Sequence, residues 1–425
     1  MAPRLGSAPV DRTPALLRDP YRFISRRCRR RGTEAFTTRL LLEPTVCVTG
    51  PEAAAVFQDP RHFTRQDAAP GRIVETLFGR GGVQGLDGAA HRRRKHLFVS
   101  LMSQQRVAEL AALTERELDR AAQDWRGRER VVLYDEFRAV LTRAVCTWAG
   151  VPLPRADAAR RTDQITALFD DAGRVGPRHW RSRRSRRSAD RWAADVVGRI
   201  RAGRIAPPAE TAAYVVAWHR DHNGELLDER VAGVELLNVV RPVVAVSVYL
   251  AFAAHALHRH PHWIRGLADQ GPDGGDGAAD PAELFAQEVR RLYPFFPMAA
   301  ARARHDMVLC GRRVRRGQRV LLDLYGINHD PRLWEAPEEF RPERFREHRP
   351  GPYDFVPQGA GYPDIHHRCP GEPITVALIA AVARRLAGMR YAVPQQDTTV
   401  DMRRLPALPR SGCVIRVPPE RPAAR

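Results

Sequence analysis

The chain has 425 residues, with 69 Lys and Arg against 49 Asp and Glu, a formal net charge of +20. Its 44% hydrophobic content can fill a large core, and six scattered cysteines with no CxxC pair exclude a disulfide scaffold and a zinc module. The charge is almost all arginine and dispersed, Lys95 being the single lysine, so no nucleic-acid partner is expected. The two dense runs, residues 25–31 and 181–187, lack interleaved aromatics for base stacking and read as solvated helix faces or loops.

Residues 1–23 hold no apolar run long enough for a signal peptide or membrane anchor. A soluble, cytoplasmic protein is expected. Residues 36–49 read as a strand. Residues 104–125 place apolar positions at helical spacing with charge pairs at i,i+4, and 131–150 and 158–171 repeat the pattern. Residues 228–260 form a long apolar helix, and Pro242 inside it removes a backbone hydrogen bond and predicts a bend. The acidic stretch 271–281 reads as a surface loop. A helix over 281–293 starts at Asp280-Pro281, and short strands follow at 307–314 and 319–323. No linker or internal repeat divides the chain, so 1–425 reads as a single, mainly α domain with small β-sheets.

Chemistry concentrates near the C-terminus. Cys369 lies in HHRCPGEP, residues 366–373, just before an apolar helix whose N-terminal dipole favours a thiolate. Residue type alone leaves three roles open: metal or haem ligand, reactive nucleophile, or buried structural thiol. Glu288 and Arg291 stand at i,i+3 on one helix face, and Arg344 in FRPERF offers a second cation.

In this order before the cysteine, Glu288, Arg291 and Arg344 resemble the Glu-Arg-Arg scaffold of the cytochrome P-450 superfamily. Segments 63–72, 77–98, 176–184, 235–246, 288–297, 321–345 and 357–372 resemble its bacterial fatty-acid peroxygenase and decarboxylase branch. That resemblance implies the cytochrome P-450 fold, with haem b between a long distal helix and the cysteine-loop helix. It makes Cys369 the axial iron ligand, whose thiolate favours O–O cleavage. Arg65, His91 and Lys95 fall on the branch's propionate-binding positions. Phe78, Phe295 and Phe296 fall along the substrate pocket, Phe296 where the branch usually has glycine, and Ala360 replaces a common glycine in the cysteine loop.

The distal segment from Asn238 to Val246 has no carboxylate and no threonine. Arg241 is costly in such an apolar helix unless an anion pairs it, and a substrate carboxylate would do so through two parallel hydrogen bonds. Held there, that carboxylate would serve as the general acid–base that peroxide activation needs. Arg241, Pro242 and Gln84 are therefore the expected catalytic residues. Gln84 falls on a distal-side position where branch members with His tend to decarboxylate and members with Gln to hydroxylate, so the resemblance implies hydroxylation over decarboxylation to a 1-alkene, in keeping with an amide that transfers no proton. The expected activity is peroxide-dependent hydroxylation of fatty acids at the α or β carbon, with no obligatory reductase. Its rivals are a reductase-fed monooxygenase and a haem-less basic binding protein.

Overall fold

The computed structural model describes residues 10–268, 280–347 and 349–419. Residues 1–9 of the N-terminal stretch and 271–279 of the acidic loop lie outside them. The helix Gln104–Trp125 shows how the pattern becomes structure. Ser103 caps it by accepting from the Arg106 N–H, and the buried positions Arg106, Leu110, Thr114, Leu118, Ala121 and Trp125 repeat every three or four residues. The same spacing of buried positions, without a side-chain cap, forms the helices Leu133–Ala149, Arg155–Asp170 and Pro177–Arg201. Asp280 caps the helix Pro281–Leu292 as expected, through the Ala282 N–H.

The distal helix Glu229–Ala245 is buried on nearly every side, packed against Pro177–Arg201 and Leu133–Ala149. At Gly233 a Cβ would come within 2.7 Å of the Ala194 backbone N, so only glycine lets these two helices approach so closely. The apolar run continues as Ser247–Arg259, and the helix breaks at Val246, one turn beyond Pro242. There the Val246 N–H is shared between the carbonyls of Pro242 and Val243, at 3.2 and 3.1 Å. The stretch Glu229–Arg259 is long and apolar enough to cross a membrane, yet 94% of its most apolar window is buried inside the protein. It is the central core element.

The main sheet has five strands in the order Ala35–Leu40, Glu43–Val48, Arg319–Asp323, Met298–Ala303 and Phe63–Thr64. The single strand expected over 36–49 is in fact a hairpin, with Leu40 paired to Glu43 across a two-residue turn at Leu41 and Leu42. Both leucines adopt positive φ, 52° and 62°, and no Gly or Asn marks the turn in the sequence. Residues 307–314 likewise split into a hairpin, Met307–Leu309 with Arg312–Val314. A third small sheet pairs Val131–Val132 with Val414–Ile415. The arginine run 181–187 lies on the helix Pro177–Arg201 but is not wholly solvated, because Ser182 and Arg186 turn inward at i,i+4. Ser25 and Cys28 do the same in the run 25–31.

Candidate active site

Cys369 sits in the loop ahead of the helix Glu372–Gly388 and is partly exposed. Its N–H donates to the Gln358 carbonyl at 3.1 Å. The Gln358 side chain is fixed from both sides, accepting from Arg290 Nε at 3.0 Å and donating to Thr375 Oγ1 at 3.1 Å. Glu372 takes Arg368 at 2.6 and 3.0 Å and also pairs with Arg290. The loop bends through Gly359 at φ +110°, where a Cβ would lie 3.2 Å from Arg368 Cα. The Glu288–Arg291–Arg344 trio stands behind. Arg291 grips the buried Glu288 carboxylate through two hydrogen bonds of 2.8 Å, and Arg344 reaches it at 3.3 Å. Arg291 also donates to the carbonyls of Asn328, Pro337 and Glu339, tying down the segment before the cysteine loop.

Burial pushes the Cys369 thiol pKa up, the Glu372 carboxylate adds to this, and the Gly371 N–H, Lys95 and Arg290 oppose it. A thiolate here fits best when bound to a metal cation. Among the described residues no group of three His, Cys, Asp or Glu side chains forms a metal site. A lone cysteine would suit an iron whose remaining donors a macrocycle would supply.

Around the same loop, Arg65, His91 and Lys95 come together. His91 and Lys95 lie on the helix Gly88–Ser100, both buried. The His91 ring stacks on His367 at 3.9 Å between centroids, and Lys95 Nζ donates to the Arg368 carbonyl. Arg65 Nη2 donates to Gln58 Oε1 at 2.8 Å, while its Nη1 is buried with no partner. Burial lowers the Lys95 pKa to about 8, that of His91 to about 4 and that of Arg65 to about 10. Asp87, which accepts from the Arg65 N–H and lies 3.9 Å from His367, is the nearby carboxylate. Three basic groups, His91 and Lys95 buried and Arg65 half-buried, beside one acid suit a dianion. The two propionates of haem b fit this cradle.

Across the site, Arg241 is buried on the distal helix and burial lowers its pKa to about 9, with the like charge of Arg186 adding to the drop. Its Nη2 donates to Asn238 Oδ1 at 3.0 Å, its Nε has no partner, and among the described residues it forms no ion pair. The internal carboxylate that would neutralise it is absent there, but a polar stripe leads to it. Arg94 donates to Glu235 at 2.6 Å, and Glu235 accepts from Asn238 Nδ2 at 2.8 Å. That bond turns the Asn238 carbonyl oxygen toward Arg241. Gln84 Oε1 lies 3.4 Å from Asn238 Nδ2, on the turn Val83–Gly85. Sequence reading missed Arg94 and Glu235, although the i,i+3,i+6 spacing of Glu235, Asn238 and Arg241 in an apolar helix was the signal.

Phe78 ends the short π-helix Val74–Phe78 and packs on the main core. Phe295 stacks on Tyr249 at 4.6 Å and meets Phe296 edge-on at 4.6 Å. Phe296 bridges the main helical core and the sheet core.

The helical body, the small sheets and a single cysteine facing a buried distal helix define a haem-thiolate oxygen-transfer enzyme. A family model for cytochrome P-450 matches residues 283–399. Cytochrome P-450SP alpha (CYP152B1) in complex with (R)-ibuprophen is 50% identical, covers 96% of this chain and 98% of its own, and superposes with a TM-score of 0.91. Cytochrome P-450EX alpha (CYP152N1) with myristic acid is 41% identical over 96% and 98% of the two chains, with a TM-score of 0.90. A variant of cytochrome P-450 OleT in complex with arachidonic acid is 34% identical over 96% and 97%, with a TM-score of 0.91. Cytochrome P-450 138 of Mycobacterium tuberculosis (strain ATCC 25618 / H37Rv) is 27% identical over 385 residues, 83% of this chain and 85% of its own. The chain belongs to the cytochrome P-450 family, in its fatty-acid peroxygenase branch. Its cofactor is haem b, with a cysteine thiolate on the iron.

Proposed function

We propose that this enzyme uses hydrogen peroxide to hydroxylate fatty acids at the α or β carbon, with decarboxylation to a 1-alkene as a minor outcome. Bound haem b supplies O–O cleavage, pushed by the thiolate that we assign to Cys369. Arg65, His91 and Lys95 hold its propionates. Arg241 clamps the substrate carboxylate through its guanidinium fork. Pro242 has no N–H to give the Asn238 carbonyl and shapes the helix beside it. The clamped carboxylate takes a proton from one peroxide oxygen and returns it to the other, which no side chain of the distal helix does between Asn238 and Val246. Gln84 orients the reactants without exchanging protons. Phe78, Phe295 and Phe296 line the acyl path, and the myristic and arachidonic acids bound by the related structures support an acyl substrate.

The observation that carries this reading is Arg241, a buried cation with an unpartnered Nε and no carboxylate of its own. The test is purified holoenzyme with a ladder of fatty acids, given either peroxide or NADPH with a ferredoxin–reductase pair, and analysed by mass spectrometry. Hydroxylation near the carboxyl group with peroxide alone is expected. Turnover only with the reductase system would overturn it.

A further inference from the structure

Six exposed apolar side chains fall in two groups joined through the fold. Leu17, Leu41 and Leu42 belong to the helix Thr13–Arg18 and the first hairpin and Val10 to the segment before that helix, while Val175 and Trp180 flank the start of the helix Pro177–Arg201. Hydrogen bonds assemble the first group. The Leu41 N–H donates to Thr13 Oγ1 at 2.6 Å, and the Leu42 N–H to Asp11 Oδ2 at 2.7 Å. A chain of contacts links it to the second. Tyr21 Oη accepts from the Ala407 N–H at 2.8 Å, and Leu405 lies 3.4 Å from where a Gly173 Cβ would stand. The same Tyr21 hydroxyl donates to the Phe295 carbonyl at 2.9 Å, so this chain of contacts is one residue away from the acyl pocket assigned above.

The turn itself is informative. A two-residue hairpin turn with both residues at positive φ suits Asn-Gly, and a branched, bulky residue there is strained. Here two leucines occupy it, and Leu42 is 72% exposed. Local stability does not explain such a choice, whereas presenting apolar side chains outward does. The surrounding charge is basic. Among the described residues Arg12, Arg18, Arg174 and Arg178 have no carboxylate partner, while Arg181 is paired with Asp171, Arg404 with Asp170, and Arg22 and Arg26 with Asp19. A cavity of about 450 Å³ lined by Asp170, Asp171, Pro177, Arg178, Arg181 and Arg404 opens beside the second group.

We propose that these two groups dock together and reversibly on an anionic phospholipid surface, with Leu41, Leu42, Val175 and Trp180 seated among the acyl chains and the free guanidiniums on headgroup phosphates. Apolar tips ringed by arginines fit an interface in which the outer layer is anionic and the next layer is hydrocarbon. An acidic protein or a nucleic acid would use the arginines but would leave the strained leucines without a role. The purpose rests on the fatty-acid reading, since a long-chain acid partitions into bilayers and would pass from the lipid to the pocket without crossing water.

The experiment is co-sedimentation of peroxide-free holoenzyme with vesicles of phosphatidylcholine alone or of equimolar phosphatidylcholine and phosphatidylglycerol. Wild type is expected to bind the anionic vesicles, and binding should weaken with salt. The double variant L41N/L42G gives the turn the residues its geometry suits, so it folds at least as well. It should bind about tenfold more weakly, because two inserted side chains are lost. W180Q should weaken binding comparably, and R174Q/R178Q should weaken it on anionic vesicles only. No binding to anionic vesicles at low salt would overturn the proposal. So would L41N/L42G binding like wild type, which would leave only a general affinity for polyanions. Peroxide-driven turnover of a short, water-soluble acid without vesicles is a separate readout, and it should be unchanged in L41N/L42G. Loss of that turnover in wild type would strike the fatty-acid reading and not the docking surface.

Discussion

Replacing Arg241 by Met should make the substrate-free protein more stable and the substrate complex weaker. Burial lowers the Arg241 pKa from its ordinary 12.5 to about 9. At about 1.36 kcal/mol per pKa unit, keeping the guanidinium charged in its site costs on the order of 5 kcal/mol. The variant removes that cost. It also removes the 3.0 Å bond to Asn238 and leaves Asn238 Oδ1 without its donor, a loss of about 3 kcal/mol. The net gain is about 2 kcal/mol, visible as a higher denaturant midpoint at unchanged slope. Binding moves the other way. A bidentate guanidinium–carboxylate pair contributes about 3–4 kcal/mol, so R241M should bind a fatty acid about 100- to 1,000-fold more weakly. Calorimetric titration with an acid and its matching primary alcohol isolates the charge, because wild type should prefer the acid and R241M should not. A variant that is less stable than wild type, or that keeps the acid preference, would refute the reasoning by making Arg241 a structural residue.

Asn238→Asp puts a carboxylate where the Arg241 Nη2 already donates, so an internal pair should compete with the substrate. Fatty-acid affinity should fall about tenfold or more, with haem content unchanged, as equilibrium titration would show. Asp323 offers a pH signature. Burial raises its pKa from 3.8 to about 7, so the fold holds its proton while the unfolded chain releases it above pH 4. Stability is therefore lost as pH rises from about 4 to 7, by up to roughly 4 kcal/mol. Asp323→Asn keeps an acceptor for the Gly326 N–H, so its stability advantage over wild type in urea melts should grow across that window and then level off. Phe296→Ala should shift the chain-length optimum of kcat/KM upward, because the ring stands edge-on to Phe295. An unchanged optimum would remove Phe296 from the acyl path.

The elements with strong periodicity were legible. The stripe from Leu110 to Trp125 and the cap at Asp280 follow from residue type and spacing, because local rules and burial agree there. The Leu41-Leu42 turn was not legible, because its residues contradict the backbone they adopt and the pairing of Leu40 with Glu43 is decided by the sheet. Arg186 looked like one arginine of a solvated run. It is buried, with its guanidinium so close over Gly79 that a Cβ there would lie 2.1 Å from Nη2. Composition carries no sign of which arginine in a cluster turns inward. Of the proposed site, the sequence named positions but not connections. Arg241 was singled out by the family resemblance and by its cost in an apolar helix, whereas the order Arg94, Glu235, Asn238, Arg241 emerges only when two helices and a turn meet.

Those connections give the site its common logic. Arg65, His91, Lys95 and Arg241 are all held below their ordinary pKa, with burial as the first cause in each case. Alone, each weakens the fold. Under the proposed function they match three carboxylates, two from haem b and one from the substrate, so each binding event would relieve a cost already built into the chain. A ligand that binds the folded state stabilises it by RT ln(1 + [L]/Kd). Haem and fatty acid should therefore each raise the unfolding temperature. The Glu235–Asn238 pair then has a defined task, because it holds Arg241 through one nitrogen and leaves Nε free. An acidic partner at Asn238 would have stabilised the protein and filled the place that we propose for the substrate carboxylate.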